Sequence, residues 1–473
     1  MLASDHSPVI ATIADKIPRG KQNFRFDKRW IGKEGLLEAI SNGWNLDTGS
    51  REGCFVEKIT NCRRAISKWR KDLSPYGRKT IEELKVELDA AQRDDTRARE
   101  EITELTLRLQ EAYRDEEQYW YQNSRSLWMK LGDNNSKYFH AITKQRRDRN
   151  RITGLHDEHG AWKVEDDDIQ MVAVSYFQNL FLTSNPQAFD EALGKIQPRI
   201  TEQINDFLTA SATEIEVRTA LFMIHSEKAP SPDGMTALFF QKAWATIKTD
   251  LLTLVNSFLK DRFFDKRLNT TNICLILKTE RPTRMTELRP ISLCNVGYKV
   301  ISKILCQRLK TVLPNLISET QSAFIEGRLI SDNILIALEM FHGLRTNPSC
   351  KGKFMAIKTD MSKAYNRVEW KFIEVLLRKM GFCDKWISWI MWCITTVQYK
   401  VLINGQPKGL IILGRGLRQG DPLSPYLFIL CTEVLIANIR KAEHGKLITG
   451  MKVATPSPPV SHLLFADDSL FFL

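Results

Sequence analysis

The segment Leu463-Leu464-Phe465-Ala466-Asp467-Asp468-Ser469-Leu470-Phe471-Phe472 constrains this chain more than any other. Two apolar runs flank adjacent acids, a pattern that predicts a β-hairpin with carboxylates at its turn. Burying such flanks beside two acids is costly unless a cation or base neutralises them, because an unpaired buried charge shifts its pKa instead. A metal site is the economical explanation, and an ordinary solvated turn is the plain one.

A second acid stands at a comparable strand end. Phe354 to Thr359 lead into Asp360, followed by Met361-Ser362-Lys363-Ala364-Tyr365. Phosphoryl transfer by two divalent ions, about 3.5 to 4 Å apart, needs carboxylates from separate segments to bridge both metals. Asp360 with Asp467 can supply that bridge once intervening structure brings the two strands side by side. Between them lies Gly416-Leu417-Arg418-Gln419-Gly420-Asp421-Pro422-Leu423-Ser424-Pro425, a glycine-flanked turn opening into a helix expected over Tyr426 to Ala437. Gly416 and Gly420 let the backbone approach a ligand closely, and Gln419 can hydrogen-bond a base or sugar. The plain alternative is an ordinary turn and a capped helix.

Composition narrows the partner. In 473 residues, 43% hydrophobic and 26% charged, 68 Lys and Arg stand against 56 Asp and Glu. The proportions exclude disordered, collagenous and membrane-embedded classes, and the net charge of +12 favours a polyanionic partner, nucleic acid or an acidic membrane face. The length allows several domains or one large enzyme with subdomains. The 9 cysteines are scattered, with no C-x2-C pair, so they read as reduced thiols and no zinc finger, a usage that suits cytosol or nucleus. The longest apolar stretch, Trp386 to Val397, is too short for a bilayer span, and no membrane anchor is expected.

Along the chain, a short helical stretch is expected around Ile31 to Ile40. From Arg78 the apolar positions Ile81, Leu84, Leu88, Ile102, Leu105, Leu109 and Tyr113 predict one long amphipathic helix, packed on its own protein or forming a coiled-coil seam. An aromatic and basic patch follows: Tyr119, Trp120, Tyr121, Trp128, Lys137, Tyr138 and Phe139, then Lys144, Arg146, Arg147, Arg149 and Arg151. It suits stacking on bases with phosphate neutralisation. It equally suits a solvated basic helix end beside a core-facing aromatic stripe. The acidic run Glu165 to Asp168 and the Ser-Asn-Pro at 184 to 186 are expected to mark loops, with a domain boundary near residue 200 and an α/β or α+β enzyme body beyond it.

The ordered set F-A-D-D, K-T-D-M-S-K-A-Y, G-L-R-Q-G-D-P-L-S-P and, upstream, L-R-P-I-S-L (Leu288 to Leu293) resembles the reverse transcriptase of plant LINE-type, non-LTR retrotransposons. K-A-P-S-P-D-G (Lys228 to Gly234), Q-S-A-F-I-E-G-R (Gln321 to Arg328) and G-D-N-N-S-K-Y-F-H (Gly132 to His140) extend the likeness over nearly the whole chain. The resemblance implies an α+β right-hand polymerase: fingers and a palm, the palm an antiparallel sheet backed by helices, preceded by a long helical extension and lacking a thumb. It divides the chain into residues 1–10, the end of an endonuclease-like domain, 11–200, a helical basic linker, and 201–473, fingers and partial palm.

On this resemblance Asp360 and Asp467 are the bridging metal ligands, Asp468 the third acid and the Met361 carbonyl a backbone ligand for Mg²⁺ or Mn²⁺. Tyr365 looks like the steric gate that favours deoxynucleotides, and Gln419 and Gly420 match the turn holding the incoming nucleotide and template base. Lys278 and Arg289 resemble the cations that grip the triphosphate. The implied partners are an RNA template, a DNA primer and dNTPs, with action in the nucleus and no membrane. Ser4-Asp5-His6-Ser7-Pro8 looks like the closing motif of an apurinic-endonuclease-like domain, so Asp5 and His6 are expected to be a relic without nuclease activity. Asn366 replaces the usual Asp, Ser231 the usual Gly and Leu277 the usual Pro of the family pattern. The expectation is a copy truncated at both ends, whose alternative is a non-catalytic nucleic-acid-binding remnant, or a product kept from folding stably by its apolar terminal hairpin.

Overall fold

The structure, a computed structural model, describes residues 24–46, 54–71, 73, 78–94, 96–124, 136–187, 189–261, 264–454 and 456–473. It is an α+β fold with three sheets among these residues. Strands β1 (Leu155–His156) and β2 (Trp162–Lys163) form a small hairpin. Strands β3 (Thr270–Leu277), β4 (Leu288–Leu293), β6 (Gln398–Ile403) and β7 (Gln406–Ile412) form a sheet in the order β4-β3-β6-β7. Strands β5 (Ala356–Asp360), β8 (His462–Phe465) and β9 (Asp468–Phe472) form an antiparallel sheet in the order β5-β9-β8.

The four-stranded sheet follows from period-two burial. Thr271, Ile273 and Leu275 of β3 point inward with Tyr399, Val401 and Ile403 of β6, which pairs with β3 in parallel. Its inner face is covered by the helix Asp166–Phe181, which buries Ile169, Ala173, Phe177 and Phe181 at helical spacing. Phe177 stacks on Phe181, whose ring leans on Tyr399 at 5.5 Å. The acidic run expected to be a loop is instead this helix's start. Asp166, Asp167 and Asp168 occupy its first turn, where negative charge complements the helix dipole.

The main core is helical and draws residues from both sides of position 200. Phe26, Trp30, Ile40, Trp44 and Phe55 belong to one cluster with Phe239, Phe240, Val255, Leu305 and Trp389. Phe26 meets Phe239 edge-on at 5.4 Å, and Trp44 Nε1 donates to Asp250 Oδ2 at 2.8 Å. The expected early helix is Leu36–Trp44. The expected long helix is two: Arg78–Arg93 and Arg99–Ser124, packed together through Leu84, Ala91 and Leu105. The break follows from Asp94, whose Oδ1 accepts from Thr96 N and Oγ1 at 3.0 and 2.5 Å, a local turn that competes with helical bonding.

The apolar stretch at Trp386 lies in the helix Asp384–Thr395, which buries Trp386, Trp389, Ile390 and Cys393. No helix among the described residues is long and apolar enough to cross a membrane. All nine cysteines are free. The expected helix after the glycine turn is Ser424–His444, with proline in its first turn. The terminal hairpin has its sheet neighbour: β9 lies between β5 and β8, and Leu463 and Phe472 are buried with Met340 and Met451.

The loop Lys228 to Gly234 is knotted to the N-terminal segment. Ser231 Oγ donates to Asp233 Oδ1 at 2.7 Å, and desolvation pushes the half-buried Asp233 carboxyl up. Gly234 has φ +82°, and a Cβ there stands 2.1 Å from Phe24 O. Phe26 N donates to Gly234 O at 3.0 Å. Gly234→Ala is therefore expected to destabilise the chain by roughly 2–4 kcal/mol, read as a lowered urea midpoint; an unchanged midpoint would refute the packing argument.

Candidate active site

Two strand pairings bring the acids together. In the β5–β9 ladder Asp360 lies directly opposite Asp468. In the β8–β9 hairpin Phe465 pairs with Asp468, which leaves Ala466 and Asp467 as the turn. The three acids thus come from one sheet end, two exposed and Asp467 half-buried. Ala466 sits at φ +54°, a left-handed conformation that costs an L-residue about 1–2 kcal/mol. Its N–H donates to the Gln321 side chain at 3.0 Å. Lys358, on the same face of β5 as Asp360, places its Nζ 3.3 Å from Asp468 Oδ1, an exposed pair that screens part of the charge.

Asp360 leads into the short helix Ala364–Arg367, which carries Tyr365. Its ring stacks on Phe428 at 4.8 Å. Burial pushes the phenol up to about 12, and the Asp467 charge adds to the effect. Met361 is half-buried, and its carbonyl accepts from Ala364 N at 3.1 Å, which leaves one lone pair.

The glycine turn is laid against this helix. Gly416 N donates to Val368 O at 2.8 Å and Leu417 N to Tyr365 O at 2.7 Å. Gly416 has φ +98°, and a Cβ there stands 2.9 Å from Asn366 O, so close approach demands glycine. Beneath the turn is a buried polar network that sequence reasoning missed. The Arg418 guanidinium lies 3.9 Å over the Tyr298 ring, pairs with Asp421 at 2.9 Å and donates to Cys393 O at 2.7 Å. Asp421 also accepts from Tyr298 Oη and Ser302 Oγ. Burial pushes the Tyr298 phenol well up, so it stays a donor. The G-L-R-Q-G-D spacing held the signal, since an Arg and an Asp three apart can pair within one turn.

The remaining expected residues lie farther out. Gln419 O accepts from Ser292 N of β4 at 2.8 Å, which joins the turn to the four-stranded sheet, and Gly420 is exposed. Lys278 and Arg289 are exposed on the β3–β4 hairpin, Lys278 Nζ donating to Thr286 O at 2.9 Å. They are carried by a different sheet from the acids. Lys144, Arg146, Arg147 and Arg149 lie on the helix Ser136–Arg149, followed by Arg151, all exposed. Arg149 lies 3.6 Å from Glu280, which places this basic end at the β3–β4 loop.

Several of the aromatics meet one another across two helices. Trp120 meets His140 at 4.3 Å and Tyr121 meets Phe139 at 5.7 Å, so they pack two helices together. Trp128, Asp5 and His6 lie outside the described residues. Among the described residues no three His, Cys, Asp or Glu side chains enclose a metal by themselves. The donor set of Asp360, Asp467 and a free carbonyl lone pair suits a hard cation such as Mg²⁺, which takes one or two carboxylates and completes its shell with water and substrate phosphate.

Residues 276–473 match the family model described as reverse transcriptase (RNA-dependent DNA polymerase). Over 98% of its length the chain is 27% identical to a Xenopus laevis protein, the transposon TX1 uncharacterized 149 kDa protein, of which it covers 36%. It is 28% identical, over 51% of its length, to 22% of the Pol polyprotein from the type-1 retrotransposable element R2 of Nasonia vitripennis. An uncharacterized mitochondrial protein of Arabidopsis thaliana is 59% identical over 14% of this chain and 56% of its own length. The chain thus spans about a third of the Xenopus relative.

Two outcomes follow from this geometry. Arg418→Met leaves the Asp421 carboxylate buried without its cation and is expected to cost about 3–5 kcal/mol in urea unfolding; an unchanged midpoint would count against the network. His462 is buried between Ser461 Oγ at 2.7 Å and Thr320 Oγ1 at 2.9 Å, and burial pushes its pKa down to about 4. The folded state therefore binds fewer protons than the unfolded one. Its stability is full above the ordinary pKa of about 6.5 and falls as pH drops toward 4, by at most about 1.4 kcal/mol per unit. Unfolding at pH 7, 5.5 and 4.5 tests this, and His462→Gln should flatten that part of the slope.

Proposed function

We propose that this chain, whose residues 276–473 are a reverse transcriptase domain of a non-LTR retrotransposon, joins deoxynucleotides to a primer 3′ hydroxyl on an RNA template. The observation that carries the reading is the register of Asp360 against Asp468 with Asp467 in the adjoining turn, since nucleotidyl transfer requires carboxylates from separate segments at one point. Asp360 and Asp467 would hold the divalent ions, Mg²⁺ or Mn²⁺, with the Met361 carbonyl, and Asp468 is the third acid. Bound there, the ions would supply charge neutralisation of the triphosphate and a lowered pKa for the attacking hydroxyl.

The side chains do the positioning. Tyr365, backed by Phe428, offers a ring edge that a ribose 2′ hydroxyl meets and a deoxyribose does not. Gln419 and Gly420 present the turn on which nucleotide and template base rest, and Lys278 and Arg289 reach the phosphates from the β3–β4 hairpin. Lys144, Arg146, Arg147, Arg149 and Arg151 give an exposed cationic helix end for nucleic-acid backbone. The motif set points to a plant LINE as the element, and to the nucleus as the place of action. Asp5 and His6 are read as the end of an endonuclease-like domain.

Primer extension on an RNA template with Mg²⁺ and dNTPs tests the proposal. Asp467→Asn is expected to lower extension roughly a hundredfold or more while leaving RNA binding intact. Full extension by the variant would remove Asp467 from the chemistry, and RNA binding without extension by the unaltered chain would favour a binding role.

A further inference from the structure

We infer that Gln321 is the positioning residue that aims Asp467, an inference that rests on the polymerase reading above. Gln321 is fully buried. Its Oε1 accepts the N–H of Ala466 at 3.0 Å and that of Ala323 at 3.0 Å, and its Nε2 donates to Thr432 Oγ1 at 3.3 Å. One amide therefore joins the acid-bearing turn, the loop at 320–323 and the helix Ser424–His444 that follows the glycine turn.

The surrounding contacts leave that amide little freedom. Leu464 N donates to Thr320 O at 2.8 Å and Ser322 N to Leu464 O at 3.2 Å, so the loop runs as an added strand segment beside β8. Arg328 Nη1 donates to Ser318 O at 2.6 Å and to Gln321 O at 2.7 Å, fixing the loop's backbone from the other side. Asn333 Nδ2 donates to Leu464 O at 3.0 Å.

The turn needs this restraint because Ala466, a residue with a Cβ, holds a left-handed conformation with its N–H buried. Without an acceptor the N–H must move toward water or another oxygen, and the rotation that moves it swings Asp467, the next residue. The Ala466 N–H is held by the Gln321 side chain.

The test uses the full chain with three changes: Gln321→Met, which keeps volume and removes the acceptor; Gln321→Glu, which keeps the acceptor; and Ala466→Gly, which adopts positive φ at no steric cost. Gln321→Met is expected to lower kcat for primer extension about 10- to 100-fold with KM for dNTP changed less than about twofold. Gln321→Glu should stay within about fivefold of wild type, and adding Ala466→Gly to Gln321→Met should recover about tenfold. Amide exchange of the peptide spanning 463–468 gives a readout independent of activity, and it should accelerate in Gln321→Met and not in Gln321→Glu.

Wild-type kcat in Gln321→Met overturns the inference, as does equal loss in Gln321→Met and Gln321→Glu without rescue. If the unaltered chain extends no primer, the polymerase reading falls. Exchange then decides the clamp by itself, unchanged protection in Gln321→Met overturning it and faster exchange supporting it.

Discussion

Strand register is the constraint on which the rest of this molecule depends. Because side chains alternate along a strand, a slip of one residue between β5 and β9 moves Asp360 out of its place beside Asp468 and turns the side chains of one strand to the opposite face. The register is set by burial on both faces: Phe472 and Leu463 pack with Met340 of the helix Ile330–Thr346, and Ser469 is buried on the other face opposite Leu464. The chemistry at the open end is thus specified by apolar packing at the closed end. The exposed acids contribute little to stability and are held where packing puts them.

A second, polar device performs the matching task for the glycine turn. Arg418 and Asp421 are both buried, and such a pair is weakly stabilising at best when measured against an apolar replacement. Its value lies in geometry. Tyr298 and Ser302 belong to the helix Val296–Leu316, and Cys393 to the helix Asp384–Thr395, so one guanidinium and one carboxylate fix the turn to two helices at once. Leu417 and Gly416 then transmit that position to Tyr365 and Val368 through backbone hydrogen bonds.

Much of this was legible in the chain itself because the informative residues are neighbours. Asp467 and Asp468 between two apolar runs, and Pro425 opening a helix, are local statements, and each element formed where its pattern placed it. What was not legible depends on contacts between distant segments. Gln321 looks like any polar loop residue until β8 is laid beside it. The aromatic stripe at Tyr119–Tyr121 can face bases or a helix, and only the partner helix with Phe139 and His140 decides. The break at Asp94 was hidden for a different reason: apolar spacing resumes in phase after it, while a short side chain captures the local backbone.

The parallel pairing of β3 with β6 has a consequence for the order of assembly. Thr270 must wait for Gln398, and Ala356 for Phe472, so both sheets close long loops. On a ribosome the helical core around Phe239, Val255 and Leu305 can collapse while these strands still lack partners. The acids meet only after β9 has emerged, so their cluster is among the last features of the described residues to assemble. A nascent chain halted before that point would already carry the exposed cationic end of the helix Ser136–Arg149 but not yet the three neighbouring acids.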